Sequence, residues 1–188
     1  MTKVYTIKLN KPKDKQIISE DAWKMLNKIL LKDYNINIHD YEIIRNKYNK
    51  PYINPNMLYF NISHSFNMIV ICISNNECGI DIEKIRNHDK HLALANKILC
   101  EEEYIEYEKC INKYDYLFKK WTMKESYFKC KGTGIIYSEL NKSFDFSNTL
   151  TFKYIYDDKI QNEEYYISVT VDKESLTNEC IQFEELEI

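Results

Sequence analysis

Residues 58–83 read "LYFNISHSFNMIVICISNNECGIDIE", and the fold turns on how this stretch is divided. Three segments rich in β-branched and aromatic residues, "LYFNIS", "MIVICIS" and "CGIDIE", are separated by "HSFN" and "NN", both good turn sequences. That division predicts a three-stranded antiparallel meander. Upstream, "VYTIKL" (Val4 to Leu9) alternates as a strand does, and Ser19-Glu20-Asp21 reads as a cap with acids in the first turn of a helix running from about Ala22 toward Tyr34. The intervening "YNKPYINP" reads as irregular, because Pro51 and Pro55 lack the amide hydrogens that a ladder needs.

Beyond Arg86 the period lengthens to that of a helix. "HLALANKIL", the acidic "EEEYIEYEK" and a long segment from about Tyr114 to Lys131 are predicted helices, the last stopped by Gly132 and Gly134. Leu117, Trp121, Glu125 and Phe128 recur there at three- and four-residue intervals, which puts Glu125 on or beside the apolar face. The tail, "SFDFS", "TLTFKYIYD", "EEYYISVTV" and "IQFEELEI", returns to strands. The expected class is α+β, with each half running from helix into antiparallel sheet.

Composition narrows the function. With 26 basic against 29 acidic residues the net charge is −3, so no overall basic field draws the chain to nucleic acid or an anionic membrane. Only 3 glycines leave no room for a Rossmann fingerprint or a Walker loop, so any phosphate must be bound by side chains. No apolar run is long enough to span a bilayer, and "MTKVYTIKLNK" lacks the apolar core of a signal peptide, which gives a cytoplasmic expectation. The six cysteines contain no Cys-x-x-Cys pair and read as reduced thiols, with no zinc site.

Two motifs carry chemistry. Residues two apart on a strand share a face, so Asp81 and Glu83 project together while Ile80 and Ile82 pack on the other side. Paired carboxylates repel unless they are solvated, share a proton or hold a cation such as magnesium. Glu125, near an apolar stripe, needs a partner: either Lys129 one turn on, as a plain ion pair, or a metal shared with the strand acids. "NISHS" (Asn61 to Ser65) sets Ser63 and His64 where a strand enters a turn, a place where polar groups can meet an anion. Ser63 is in no Gly-x-Ser-x-Gly elbow, which argues against a hydrolase. Taken alone, His64 and Lys50 read as surface residues.

In combination, "NKPYI", "FNISHS", "CGIDIEKI" and "KWTMKESYFKCKGTGI" resemble, in order and spacing, the 4′-phosphopantetheinyl transferases of the surfactin-synthetase-activating type, over about Glu20 to Phe146. The resemblance implies two similar α/β lobes in pseudo-twofold arrangement, here residues 1–86 and 87–188 of one structural unit, with the site in the cleft between them. It implies a monomer that transfers phosphopantetheine from coenzyme A to a serine of an apo acyl or peptidyl carrier protein, with Mg²⁺ as cofactor, releasing adenosine 3′,5′-bisphosphate. By motif, Asp81, Glu83 and Glu125 resemble the metal ligands, and Glu125 is the favoured general base. Lys124 and Lys129 resemble phosphate contacts, with Lys129 also catalytic, while Lys50, Pro51, Ser63 and His64 resemble coenzyme-binding positions. Lys24 matches an arginine of the set that reads the coenzyme's 3′-phosphate, with Lys28 as a substitute. Asn49 and Phe66 stand where the family usually has glycine. The alternatives are a carrier-binding module without turnover and another Mg²⁺-dependent phosphoryl or nucleotidyl transferase. A basic, apolar patch for the carrier is expected around Lys90 to Lys97.

Overall fold

The computed structural model describes residues 2–10, 14–86, 91–157, 162–172 and 181–187. In chain order the elements are β1 (Thr2–Lys8), α1 (Lys15–Tyr34), a single 3-10 turn (Ile38–Asp40), β2 (Glu42–Arg45), β3 (Pro51–Asn54), β4 (Tyr59–Ser65), β5 (Met68–Ser74), β6 (Cys78–Lys84), α2 (His91–Ile98), α3 (Glu101–Lys109), α4 (Lys113–Lys131), β7 (Thr149–Asp157), β8 (Asn162–Val171) and β9 (Ile181–Glu187). The class is α+β, with largely antiparallel sheets packed against helices.

The predicted meander is broken after its second strand. β4 and β5 form the expected hairpin, but β6 leaves them and pairs antiparallel with β8, which pairs in turn with β7. The reason lies in the two faces of β6. Cys78, Ile80 and Ile82 pack against Met68, Val70 and Cys72 of β5, so the strand crosses onto a second layer instead of extending the first. Its unpaired edge meets the inner face of β4, where Asn61 Oδ1 accepts from the Ile80 amide at 2.9 Å and Ser65 Oγ accepts from the Lys84 amide at 3.2 Å. Side chains replace a ladder along this seam, as buried amides require.

The first sheet has the order β4-β5-β1-β9, and β1 pairs with β9 in parallel. Because β1 is interior, its alternate side chains feed two cores: Tyr5 and Ile7 face α1, and Val4 faces the second sheet. A third core joins the helices through Ala95, Ile98, Tyr107, Leu117 and Phe128.

Three local expectations are corrected. α1 begins at Lys15, with Ser19 inside it, because buried Ile18 extends the stripe of Ala22, Met25, Leu26 and Ile29 one turn upstream. "YNKPYINP" is not irregular: β3 pairs with β2, and Pro51 is tolerated as the first residue of its strand. "SFDFS" forms no strand, and its Phe144 instead closes an aromatic group with Tyr127 and Phe128. The remaining tail strands, α2, α3 and α4 follow the sequence reading closely, and Gly132 ends α4 at φ 64°. Asn49 (φ 72°) and Phe66 (φ 55°) both take the left-handed backbone that glycine adopts freely. For Phe66 the cost is roughly 1–2 kcal/mol.

The cysteines at 72, 78, 100, 110 and 130 are free, and Cys180 lies outside the described residues. No helix of the described residues is long and apolar enough to cross a membrane.

Candidate active site

Gly79 sets how closely α4 approaches β6. A Cβ there would stand 2.1 Å from the Ser126 carbonyl oxygen and 2.2 Å from the Cys130 amide nitrogen, so only hydrogen lets the two elements touch. On the neighbouring strand of the same sheet, α4 rests on β8 through hydroxyl pairs. Thr122 and Ser168 are 2.9 Å apart, Ser126 and Thr170 are 2.9 Å apart, and Thr151 and Thr149 extend the two chains onto β7 at 2.8 Å each. Held against this sheet face, the helix presents Glu125 and Lys129 to the acids of β6.

Asp81 is 2% exposed, and its Oδ1 accepts from Ser63 Oγ at 2.8 Å and from Lys129 Nζ at 2.6 Å. The same ammonium donates to Ser63 Oγ at 3.0 Å and lies 3.5 Å from Glu125 Oε2. Ser65 Oγ donates to Glu83 at 3.1 Å. Asp81, Glu83, Glu125, Lys129 and Ser63 are thus brought together, and the polar alternation of "NISHS" was the signal for the serine contacts.

The group is short of positive charge: the three carboxyls have one ammonium in their midst, paired with Asp81 and Glu125, and Glu83 feels Arg86 besides. Burial first, then the Asp81 carboxylate, push Glu125 up to about 8 against the pull of Lys129. Burial and Asp81 also raise Glu83, opposed by its Ser65 bond, Arg86 and Lys129. Burial works against the charge on Lys129, but Asp81 and Glu125 outweigh it and hold that lysine above its ordinary value. Asp81 Oδ2 is buried with no hydrogen-bond partner.

Among the described residues no three His, Cys, Asp or Glu side chains stand together as a ready metal-binding group. A divalent cation nevertheless suits the residues present. The unpaired Asp81 oxygen is a hard donor beside the Glu125 carboxyl, and the surplus of carboxyls is the charge such an ion would balance.

Other predicted positions fall elsewhere. Lys124 is wholly buried and points away from Asp81. Its ammonium donates to Glu103 Oε2 at 2.5 Å, to the Leu140 carbonyl at 2.8 Å and to the Ile98 carbonyl at 2.6 Å. Lys50 is buried as well and is spent on Glu77, on the Cys78 carbonyl at 3.1 Å and on the Cys130 carbonyl at 2.9 Å. It ties the start of β3 to β6 and to the end of α4. Neither ammonium lies at the acid group, and each already has a full set of acceptors.

Pro51 and His64 line a cleft of about 320 Å³ between α1 and β4, together with Ser19, Trp23, Arg45 and Asn49. Burial, then Lys129 and Lys15, lower the His64 imidazole, against Asp81. The cleft wall and the acid group therefore lie within electrostatic reach of one another. Lys24 is not in this lining: it is solvent-facing and paired with Asp21 at 3.3 Å. Trp23 and Arg45 were missed, since no local pattern brings them to one cavity.

Comparison with known proteins bears on this arrangement. Residues 77–180 match the model of the 4′-phosphopantetheinyl transferase superfamily. Over 124 residues the chain is 38% identical to the 4′-phosphopantetheinyl transferase gsp of Aneurinibacillus migulanus, covering 62% of this chain and 51% of that protein. It is 29% identical over 115 residues to the 4′-phosphopantetheinyl transferase Sfp of Bacillus subtilis strain 168, covering 59% and 50%. To the 4′-phosphopantetheinyl transferase AcpT of Salmonella typhi it is 37% identical over 78 residues, covering 40% and 41%. The chain spans about half the length, or less, of these relatives.

Proposed function

Since the chain belongs to the 4′-phosphopantetheinyl transferase superfamily, we propose that it transfers 4′-phosphopantetheine from coenzyme A to a serine of an apo acyl or peptidyl carrier protein. The observation that carries the reading is the gathering of Asp81, Glu83 and Glu125 around one lysine, with an Asp81 oxygen left unpaired. Three acids beside a diphosphate are prohibitive without a cation between them, and the motifs containing them resemble the family's and fall within the residues its model matches.

In this reading Asp81, Glu83 and Glu125 would hold Mg²⁺. That ion, when bound, would screen the diphosphate and favour charge on its leaving oxygen. The chain's own groups do the rest. Lys129 is held charged by its two carboxyl neighbours and offers the phosphates a donor that can leave Asp81 for them. Ser63 and His64 frame the route from the cleft to the acids. The carrier serine oxygen bonds to the phosphorus bearing the pantetheine, and the bond from that phosphorus to the bridging oxygen breaks. Adenosine 3′,5′-bisphosphate leaves with the electron pair. The serine proton passes to Glu125 directly or through an intervening water, which requires Glu125 to have lost its own proton first.

Residues 1–86 and 87–188 are proposed as the two lobes of one monomer, stitched by β6 pairing with β8 and β1 pairing with β9 across that division. The carrier is proposed to approach α2. There Leu92 is exposed and the Lys97 ammonium stands 4.3 Å over the exposed Tyr137 ring; Lys90, at the other end of the expected patch, lies outside the described residues. A cytoplasmic site of action completes the reading.

The test is intact-mass spectrometry of apo acyl and peptidyl carriers incubated with the protein, MgCl₂ and coenzyme A. The expected result is a gain of one phosphopantetheine on at least one carrier. No gain on any carrier, with the protein folded and the coenzyme intact, overturns the reading.

A further inference from the structure

Coenzyme A carries, apart from its diphosphate, a phosphate on the ribose 3′-oxygen. If the diphosphate lies at the acid group, the ribose phosphate must find a separate cation. Lys24 is paired with Asp21, its side chain 70% exposed and outside the cleft lining. Lys28 borders a different cavity, with Tyr5, Asp33 and Glu184. Lys50 is closed off by Glu77 and two carbonyls.

Arg45 is placed differently. As the last residue of β2 it lines the α1–β4 cleft with Trp23, Asn49 and His64. Its guanidinium stands over the Trp23 ring, 5.8 Å from the ring centre, and Nη1 donates to the Asn49 carbonyl at 3.0 Å. The ring and the carbonyl fix a planar fork of five N–H donors, the group best matched to phosphate oxygens. Lys15, at the start of α1, adds positive potential at His64 on the same wall.

We propose that Arg45 binds the ribose 3′-phosphate of coenzyme A in this cleft and, in place of Lys24 or Lys28, makes the protein discriminate coenzyme A from 3′-dephospho-coenzyme A. The proposal rests on the coenzyme reading given above. It assigns specificity to β2, a strand outside the family's matched motifs.

Titration calorimetry of the full chain in MgCl₂ with coenzyme A and with 3′-dephospho-coenzyme A tests it, using wild type, Arg45→Gln and Arg45→Lys. The expected result is that Arg45→Gln weakens coenzyme A binding by about 10- to 100-fold, the range of a charged hydrogen-bonded contact. Binding of the dephospho form stays within about twofold on that scale, and Arg45→Lys falls between. Thermal melting of the exposed-site variants should match wild type. An unchanged coenzyme A affinity in Arg45→Gln, an equal loss for both ligands, or a wild type blind to the 3′-phosphate overturns the proposal while transfer to a carrier still stands. A wild type that binds neither ligand overturns this proposal and the coenzyme reading together.

Discussion

Lys124 and Lys129 lie five residues apart on one helix, and their surroundings are opposites. Lys124 has no exposed surface and three acceptors arranged around it, one a carboxylate from α3 and two carbonyls from other segments. Burial pulls its basicity down and Glu103 pulls it back. Lys129 is shared among Asp81, Ser63 and Glu125, and the group around it still lacks a partner for Asp81 Oδ2. A satisfied buried charge fastens segments together. A group left short of charge is poised to accept something else.

The largest expected effect separates the two lysines directly. Lys124→Ala leaves Glu103 buried without its main cation and should cost about 3–5 kcal/mol in chemical denaturation. Lys129→Ala should cost less, since the Lys129 side chain is 29% exposed where that of Lys124 is wholly buried, and Ser63 still donates to Asp81. Comparable losses would break the contrast.

Asp81→Asn should lower transfer by about 10²–10³-fold, as removal of a charge-stabilising group does, with a melting temperature close to wild type. Carrier modification followed by mass spectrometry reads the first quantity and calorimetry the second. Near-full turnover would detach the acid group from catalysis.

Glu125 sharpens the comparison through pH. Its folded-state pKa of about 8 lies above the 4.5 of a free carboxyl, so between those values the folded state binds the extra proton. Stability should therefore fall as pH rises from about 5 to 8, by on the order of a few kcal/mol from this group. In Glu125→Gln that portion of the slope should vanish. Urea midpoints of the two proteins across this window check it, and parallel curves would contradict the buried, charge-crowded setting.

The smallest effect concerns the hydroxyls beneath α4. Thr122→Val and Ser126→Ala should each cost about 1 kcal/mol, the net value of a buried hydrogen bond. If they also lower turnover without raising KM, the seat of the helix matters for chemistry as well as for packing.

Much of this was legible in the sequence, for identifiable reasons. α4 announced itself through its apolar spacing and Gly132, and Asp81, Glu83, Glu125 and Lys129 through strand and helix periodicity. Periodicity tells which face a residue takes, but not which strand will be its neighbour. That is why β6 was expected beside β5 and lies instead beside β8. The same limit hid the fate of Lys50 and Lys124, whose acceptors come from residues 16 to 80 positions away. Pro51 misled because the rule against proline in ladders does not hold at a strand's first residue.

The parallel pairing of β1 with β9 has a bearing on synthesis. Thr2 lies beside Ile181, so one flank of β1 has no neighbour until β9, 179 residues further along, has been translated. Such distant pairing is slow, and the bare flank is open to strands of other nascent chains meanwhile. Substitutions that weaken β9 should therefore show first as reduced yield of newly made protein, before the finished molecule registers any defect.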